Sequence, residues 1–180
     1  MRFFFSVFLF LLMQCLIFPC ADAADAAAGN SEIAAPQNTA GTKVAARPLE
    51  TMTAQHLVDI IQENRGKIVL VNFFASWCPP CRAEIPDLKA IREEYPAEKV
   101  LMIGISLDQD MTQIKKFLDK TNFNYPVYLS DFKLPRMYTI SSIPHNVIYL
   151  PEGKLFCNQP GVLPKQELNR LFDNVLQEAK

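Results

Sequence analysis

The sequence predicts an α/β fold in which a mixed central sheet is flanked by helices. Two apolar runs, residues 67–74 and 100–107, are rich in β-branched and aromatic side chains, as in strands that are buried on both faces. Segments with apolar residues at helical spacing alternate with these runs, and a hairpin followed by a helix closes the chain. This alternation predicts parallel strands joined by helices that cover the sheet.

Each element of the domain has its own local signal. Thr53 is predicted as the N-cap of a first helix, which ends near residues 64–66. Pro151, Glu152 and Gly153 predict a hairpin turn between the last two strands. Further helices are predicted over residues 78–95, 111–120, 132–138 and 165–178, and further strands over residues 125–129, 146–150 and 154–158.

The N-terminal segment is predicted to be an export signal. Residues 3–18 are almost entirely apolar, and small residues follow them. Because the run is shorter than the ~20 apolar residues of a typical membrane span, we predict a signal peptide over residues 1–23, cleaved near Ala23 or Ala26. An uncleaved membrane anchor is the alternative. Two cysteines in the segment make lipoprotein processing a third option: Cys15 and Cys20.

The signal precedes a linker and then the folded domain. Residues 24–47 are rich in Ala, Asn, Thr, Ser and Gly and have almost no large apolar side chain. Such a segment cannot bury enough surface to offset its ordering entropy, so we predict a disordered linker, followed by a domain over residues 48–180. The formal net charge of the chain is -1, which gives no electrostatic reason to expect nucleic acid as a partner.

The chemistry is predicted at the sequence Cys78-Pro79-Pro80-Cys81, between a buried strand and an amphipathic helix. Thiol exchange needs a stabilised thiolate and a second thiol that resolves the mixed disulfide. Cys78 is predicted to be the exposed attacking thiol, because free amides and the positive end of the dipole at a helix start favour a thiolate. Cys81, one turn later, is expected beneath it as the resolving thiol.

Two metal hypotheses compete with thiol exchange. Half of a structural zinc site also has this spacing, but it needs two more ligands, and the domain holds no second Cys-x-x-Cys. We therefore expect no metal and no other cofactor. A copper-binding or copper-delivery protein using Cys78, Cys81 and His145 is the second hypothesis, since soft thiolates select Cu(I).

The motif and its surroundings resemble the thioredoxin superfamily, and most closely its exported TlpA/ResA/DsbE-like branch. The resemblance covers residues 49–178 and is carried by residues 69–86, by Ile143-Pro144 and by the turn at residues 152–154. The strand and helix predicted before Ile143 are similar to the insertion that marks this branch. The resemblance implies a thioredoxin-like fold and thiol–disulfide exchange with exported proteins, such as apocytochromes in cytochrome c maturation. It also implies an electron donor in the membrane or periplasm.

The resemblance also implies several site residues. Glu84 lies three residues after Cys81 on the same helical face, where this branch has a glutamate thought to assist proton movement. A solvated carboxylate on the helix surface is the alternative for Glu84. Ile143 and Pro144 are implied to form the cis-proline loop that faces the cysteines and receives extended substrate backbone. Trp77 is expected both to pack and to form a flat wall beside the attacking thiol.

The sequence also indicates a direction for the reaction. Pro79 and Pro80 offer no side-chain donor and no backbone N–H to a thiolate, so the reduced form gains little stabilisation. We therefore expect a potential nearer the roughly −270 mV of thioredoxin than the roughly −120 mV of strong oxidants. The chain is predicted to be a monomeric reductant of protein disulfides in the periplasm or another extracytoplasmic compartment. His145 is expected to be an ordinary loop residue, with a proton carrier near neutral pH or a third metal ligand as alternatives. Cys157 is expected to be a buried small hydrophobe, with a reactive extra thiol as the alternative.

Overall fold

A computed structural model describes residues 49–178 of the chain. The predicted signal peptide and linker, with Cys15 and Cys20, lie outside that range. In chain order the elements are β1 (Thr51–Met52), α1 (Ala54–Glu63), β2 (Ile68–Phe74), α2 (Pro79–Glu94), β3 (Val100–Ser106), α3 (Met111–Thr121), β4 (Val127–Ser130), α4 (Leu134–Met137), β5 (His145–Tyr149), β6 (Leu155–Pro160) and α5 (Lys165–Glu178). Within this range no helix is both long and apolar enough to span a bilayer.

The strands form one mixed sheet in the order β1-β4-β3-β2-β5-β6. β1, β4, β3 and β2 run parallel, whereas β5 is antiparallel to β2 and β6 is antiparallel to β5. The mixed sheet and every predicted helix and strand are confirmed. β1 was not predicted, because two residues are too short to show an alternating pattern; it is defined by its pairing with β4.

Side-chain alternation along β2 divides the core into two layers. Leu70 and Phe74 face a cluster shared with the apolar sides of α2, α3 and α5. Val71 and Phe73 face a second cluster, which α1 and α4 cover. All seven residues of β2 are buried, as the continuous apolar run predicted. The start of α2 follows the carboxyl end of this strand, and the cysteines lie there.

The N-cap of α3 and a glycine in β3 shape the structure around the site. Asp110 caps α3, with its carboxylate accepting from the backbone of Thr112 at 2.8 Å. Gly104 in β3 leaves room for the ring of Tyr125, since an added Cβ would lie 3.3 Å from a ring carbon. Gly104 pairs with Asn72 in β2.

Candidate active site

Cys78 and Cys81 form a disulfide at the start of α2. Cys78 is the N-cap residue of that helix, and its sulfur accepts a hydrogen bond from the backbone N–H of Cys81 at 3.3 Å. Pro79 and Pro80 occupy the first helical positions, where an N–H would otherwise have no partner in the helix. The predicted pair, its spacing and its place at a helix start are therefore confirmed.

The prediction that Cys78 is exposed is wrong for this oxidised form. Cys78 is only 3% exposed and Cys81 is 1% exposed. The carbonyl oxygen of Ile143 lies 3.7 Å from the Cys78 sulfur, so the loop before β5 covers that atom. Sequence spacing predicted the helix start but could not reveal a cover contributed from a distant segment.

The loop at Ile143 and Pro144 has the predicted cis peptide bond and lies against the cysteine pair. Trp77 is 63% exposed, so the expectation that it also packs is not met. Its ring lines a groove of about 340 Å³ together with residues that follow β3 and begin α3: Leu107, Asp108, Gln109, Asp110 and Gln113. The cysteine pair is thus flanked by the loop at Ile143 and by an exposed indole.

Asp108 holds the turn that leads into the motif. Its carboxylate accepts from the backbone N–H of Ser76 at 2.8 Å and from the Ser76 hydroxyl at 2.5 Å. The Ser106 hydroxyl donates to the same carboxylate at 2.7 Å. One acidic side chain after β3 therefore fixes the residues just before Trp77 and Cys78. No local sequence signal predicts this role, because Ser76 lies 32 residues before Asp108.

Glu84 is buried, and the alternative that it is a surface carboxylate is wrong. It lies on the inner side of α2 and is 1% exposed. Its Oε1 accepts from the backbone N–H of Leu163 and from the side chain of Asn146, each at 2.8 Å. Its Oε2 accepts from the side chain of Asn72 at 3.0 Å. Four separate segments of the chain therefore meet at one carboxylate.

Burial raises the pKa of Glu84 above its ordinary value, because the charged form is removed from water. The hydrogen bonds from Leu163, Asn146 and Asn72 act in the opposite direction, while the nearby charge of Asp87 adds to the rise. A carboxyl group with a raised pKa, one helical turn from Cys81, can exchange a proton nearer neutral pH than an exposed glutamate.

His145 is the first residue of β5 and is 3% exposed, so the loop assignment is wrong. It faces the layer of α1 and α4, with its ring 6.5 Å from that of Phe73. Its Nε2 is hydrogen-bonded to Asn158 at 2.7 Å. Cys78 and Cys81 belong to the core cluster on the other face of the sheet, so this placement of His145 gives no support to the copper hypothesis. No group of three His, Cys, Asp or Glu side chains within residues 49–178 is arranged to hold a metal ion.

Cys157 is a free thiol in β6, half-buried and not fully buried as predicted. Its sulfur lies 4.0 Å from the carbonyl oxygen of Asn146, and burial raises the pKa of the thiol. A raised pKa disfavours the reactive thiolate. Cys157 therefore has the properties of a structural cysteine.

Comparison with known proteins places this geometry among redox proteins. The model of the AhpC/TSA family matches residues 45–156. The chain is 28% identical over 116 residues to the thioredoxin-like protein YneN of Bacillus subtilis, a match that covers 63% of this chain and 68% of the relative. It is 29% identical over 116 residues to the thiol-disulfide oxidoreductase ResA of Oceanobacillus iheyensis, covering 64% of this chain and 60% of the relative.

A solved structure shows the same fold. It is a thiol:disulfide interchange protein of the thioredoxin family from Chlorobium tepidum, 27% identical, with a TM-score of 0.58. The similarity covers 64% of this chain and 83% of the solved chain. The thioredoxin-like fold expected from the motifs is confirmed.

Proposed function

The chain belongs to the AhpC/TSA family, and from that premise we propose that it is an exported reductant of protein disulfides that works through Cys78 and Cys81. It is a thioredoxin-like thiol–disulfide oxidoreductase, in keeping with the relatives of that name.

One observation carries the assignment of the attacking thiol. The backbone N–H of Cys81 points at the sulfur of Cys78, at 3.3 Å, from the first turn of α2. A sulfur that accepts from a helix-terminal amide is stabilised as a thiolate, and the thiolate is the nucleophile in thiol exchange. Cys78 is therefore the attacking thiol, and Cys81, which is 1% exposed, is the resolving thiol.

The reaction proceeds in two exchanges. The Cys78 thiolate attacks one sulfur of a substrate disulfide, which breaks the substrate S–S bond and releases one substrate thiolate. The Cys81 thiol then loses its proton and attacks the Cys78 sulfur, which releases the second substrate thiolate and forms the protein disulfide. Two electrons pass from the protein to the substrate. A dithiol donor in the membrane or periplasm returns the protein to its reduced form.

Glu84 is the base that takes the proton from Cys81. The two residues are three apart on α2, so their side chains lie on one helical face, and both are buried. In a site that excludes water, a fixed carboxylate replaces solvent as the proton acceptor. Its raised pKa keeps it basic enough to accept the proton from a thiol.

The prolines favour reduction as the direction. Neither residue between the cysteines has an N–H, so the Cys78 thiolate has the amide of Cys81 and lacks the donors that stabilise strong oxidants. Arg82 does not replace them: its guanidinium lies over the ring of Phe117, 5.9 Å from the ring centre. A reduced form with little stabilisation gives electrons readily.

The substrates are exported proteins with exposed disulfides, apocytochromes among them. Trp77 is an exposed aromatic wall on one side of the pair, and Ile143 and Pro144 border the other side, where an extended substrate segment can lie. The apolar N-terminal run followed by small residues supports export, either free or membrane-anchored.

A trapping experiment tests the proposal. A Cys81→Ala variant cannot resolve the mixed disulfide, so it should accumulate covalent complexes with envelope proteins, and a Cys78→Ala, Cys81→Ala variant should accumulate none. Reductant-sensitive complexes with cysteine-containing exported proteins are the expected result. Complexes with cytosolic proteins alone would contradict the export and substrate assignments, and absence of complexes in both variants would contradict the role of Cys78.

A further inference from the structure

Asn146 occupies a central place in the buried part of the site. It lies in β5, two residues after Pro144, and is 0% exposed. Its amide nitrogen donates to Glu84 Oε1 at 2.8 Å and to the carbonyl oxygen of Gly161 at 3.1 Å. The side-chain oxygen of Asn146 accepts a hydrogen bond from the side-chain nitrogen of Asn72 at 2.9 Å. Both ends of this amide therefore have partners.

The Gly161 carbonyl fixes the direction of the Asn146 amide. A backbone carbonyl only accepts hydrogen bonds, so the nitrogen of Asn146 has to face Gly161, and it then also faces Glu84. Asn146 consequently presents its oxygen to Asn72. Asn72 therefore donates to that oxygen through its side-chain nitrogen, and the same nitrogen donates to Glu84 Oε2 at 3.0 Å. The amide orientations in this network follow from the partners and from each other.

The result is a carboxylate that faces three N–H donors. They come from Asn146, from Asn72 and from the backbone of Leu163. Donors of this kind favour the ionised carboxylate, because they stabilise its negative charge. Asn146 supplies one donor itself and orients the second.

Asn146 also joins Glu84 to the loop beside the cysteines. The backbone N–H of Gly161 donates to the carbonyl oxygen of Pro144 at 2.8 Å. Asn146 binds the carbonyl of the same glycine, and two residues later the N–H of Leu163 reaches Glu84. Asn146 therefore anchors the segment that contacts both the Pro144 carbonyl and the buried carboxylate.

We propose that Asn146 is a positioning residue that holds Glu84 ionised and correctly oriented to receive the proton of Cys81. The proposal rests on the role of Glu84 given above. The titratable groups around Glu84 are Cys81 and Asp87 on α2 and Tyr125 before β4; the phenol of Tyr125 is buried and sensitive to the charge of Glu84. Burial and Asp87 raise the pKa of Glu84, so a loss of Asn146 adds to an existing rise.

The test is the pH dependence of mixed-disulfide resolution in the intact domain. Trp77 is the one tryptophan of the chain and adjoins Cys78, so its fluorescence reports oxidation of the pair in stopped-flow mixing with oxidised insulin. Asn146→Leu and Asn146→Ser both remove the hydrogen bonds that Asn146 donates to Glu84 and Gly161. The first keeps a side chain of similar size, and the second shortens it. Both should move the midpoint of the pH–rate profile upward by about one unit, which is about a tenfold slower rate below the midpoint.

Asn158→Leu is the matched control. Asn158 lies on the neighbouring β6, and its amide contacts His145 and the carbonyl of Tyr138 on the other face of the sheet. This variant should keep the wild-type midpoint. If Asn146→Leu does not fold, Asn146→Ser together with the infrared carboxylate band of Glu84 gives the same information.

The outcomes separate this inference from the function it rests on. Suppose that the pH–rate profile of Glu84→Gln loses its inflection, while a folded Asn146 variant keeps the wild-type midpoint. That result overturns the role of Asn146 and leaves the proposed function intact. A wild-type profile in Glu84→Gln overturns the role of Glu84 as base, and with it the role of Asn146. An upward shift in the Asn146 variants alone supports the inference.

Discussion

The backbone N–H of Cys81 donates a hydrogen bond to the sulfur of Cys78 across 3.3 Å. Because the two residues between them are prolines, the first amide of α2 that reaches the Cys78 sulfur belongs to Cys81 itself. The same backbone therefore stabilises the thiolate and holds the second thiol within reach of it. The hydrogen bond thus affects both the order of attack and the redox potential of the pair.

Replacing the two cysteines one at a time should separate their roles. Cys78→Ser should abolish reduction of insulin disulfides, because the sulfur that accepts the helix-terminal N–H is lost. Cys81→Ser should still attack and should accumulate mixed disulfides, since resolution needs the second thiol. Non-reducing gels and mass spectrometry measure the adducts. Adducts that form on Cys81 in Cys78→Ser, with none in Cys81→Ser, would reverse the assignment.

Pro80→His should raise the redox potential. The imidazole adds a donor near the Cys78 thiolate and so stabilises the reduced form, by on the order of 30 mV for one charge-assisted hydrogen bond. Pro80→Ala is the control, since it restores the backbone N–H without adding a side-chain donor. Titration against glutathione or dithiothreitol gives both values. A wild-type potential near the roughly −120 mV of strong oxidants would contradict the reductant assignment.

Glu84→Gln should change how stability depends on pH. The pKa of Glu84 is raised in the folded state, so its contribution to stability is fully present below its ordinary pKa and is lost as the pH rises through the raised value. As the pH rises across this window, the free energy of unfolding of wild type should therefore fall relative to that of Glu84→Gln. Urea unfolding at a series of pH values measures the difference.

Glu94→Gln is the matched control for that experiment. Lys165 and Asn169 lower the pKa of the Glu94 carboxylate, so its contribution is present above its ordinary pKa and is lost as the pH falls through the lowered value. The pH dependence should have the opposite sign and be small, because the pair is exposed to solvent. If the free energy of unfolding depended on pH with the same sign in both variants, burial of Glu84 would not be the cause of its pH dependence.

Trp77→Ala should weaken the reaction with protein disulfides and leave the reaction with a small disulfide unchanged. The indole is 63% exposed beside the cysteine pair, so its removal takes away contact area for a polypeptide without disturbing the core. We expect a higher KM for insulin and an unchanged rate with oxidised glutathione. Phe132→Ala removes an aromatic ring that is 73% exposed between β4 and α4 and should leave both reactions unchanged. Equal losses with both substrates would contradict a role in protein recognition.

Local signals predicted most of the fold. The helix over residues 165–178 has the predicted bounds, and the N-cap at Thr53 accepts from the backbone of His56 as expected. β2 was predicted from its continuous apolar run, since a strand that is buried on both faces needs apolar residues on both. These features depend on neighbours within a few residues, and the sequence displays those neighbours directly.

The features that the sequence did not predict depend on partners far along the chain. Glu84 meets Leu163, which is 79 residues away, and the cover over Cys78 comes from Ile143, which is 65 residues away. β1 consists of two residues and exists through its pairing with β4. Asn72 and Asn146 are buried polar residues inside apolar strands, and their partners lie 12 to 74 residues away.

The sequence by itself determined the reactive pair, because two cysteines at a helix start and the prolines between them specify their chemistry through local backbone geometry. Only the tertiary structure decided which polar residues join that pair. Adjacent residues of a strand face opposite sides of the sheet, so Asn146 reaches Glu84 while His145 faces the layer of α1 and α4. Which side is the active one depends on where α2 packs, and that is a long-range contact.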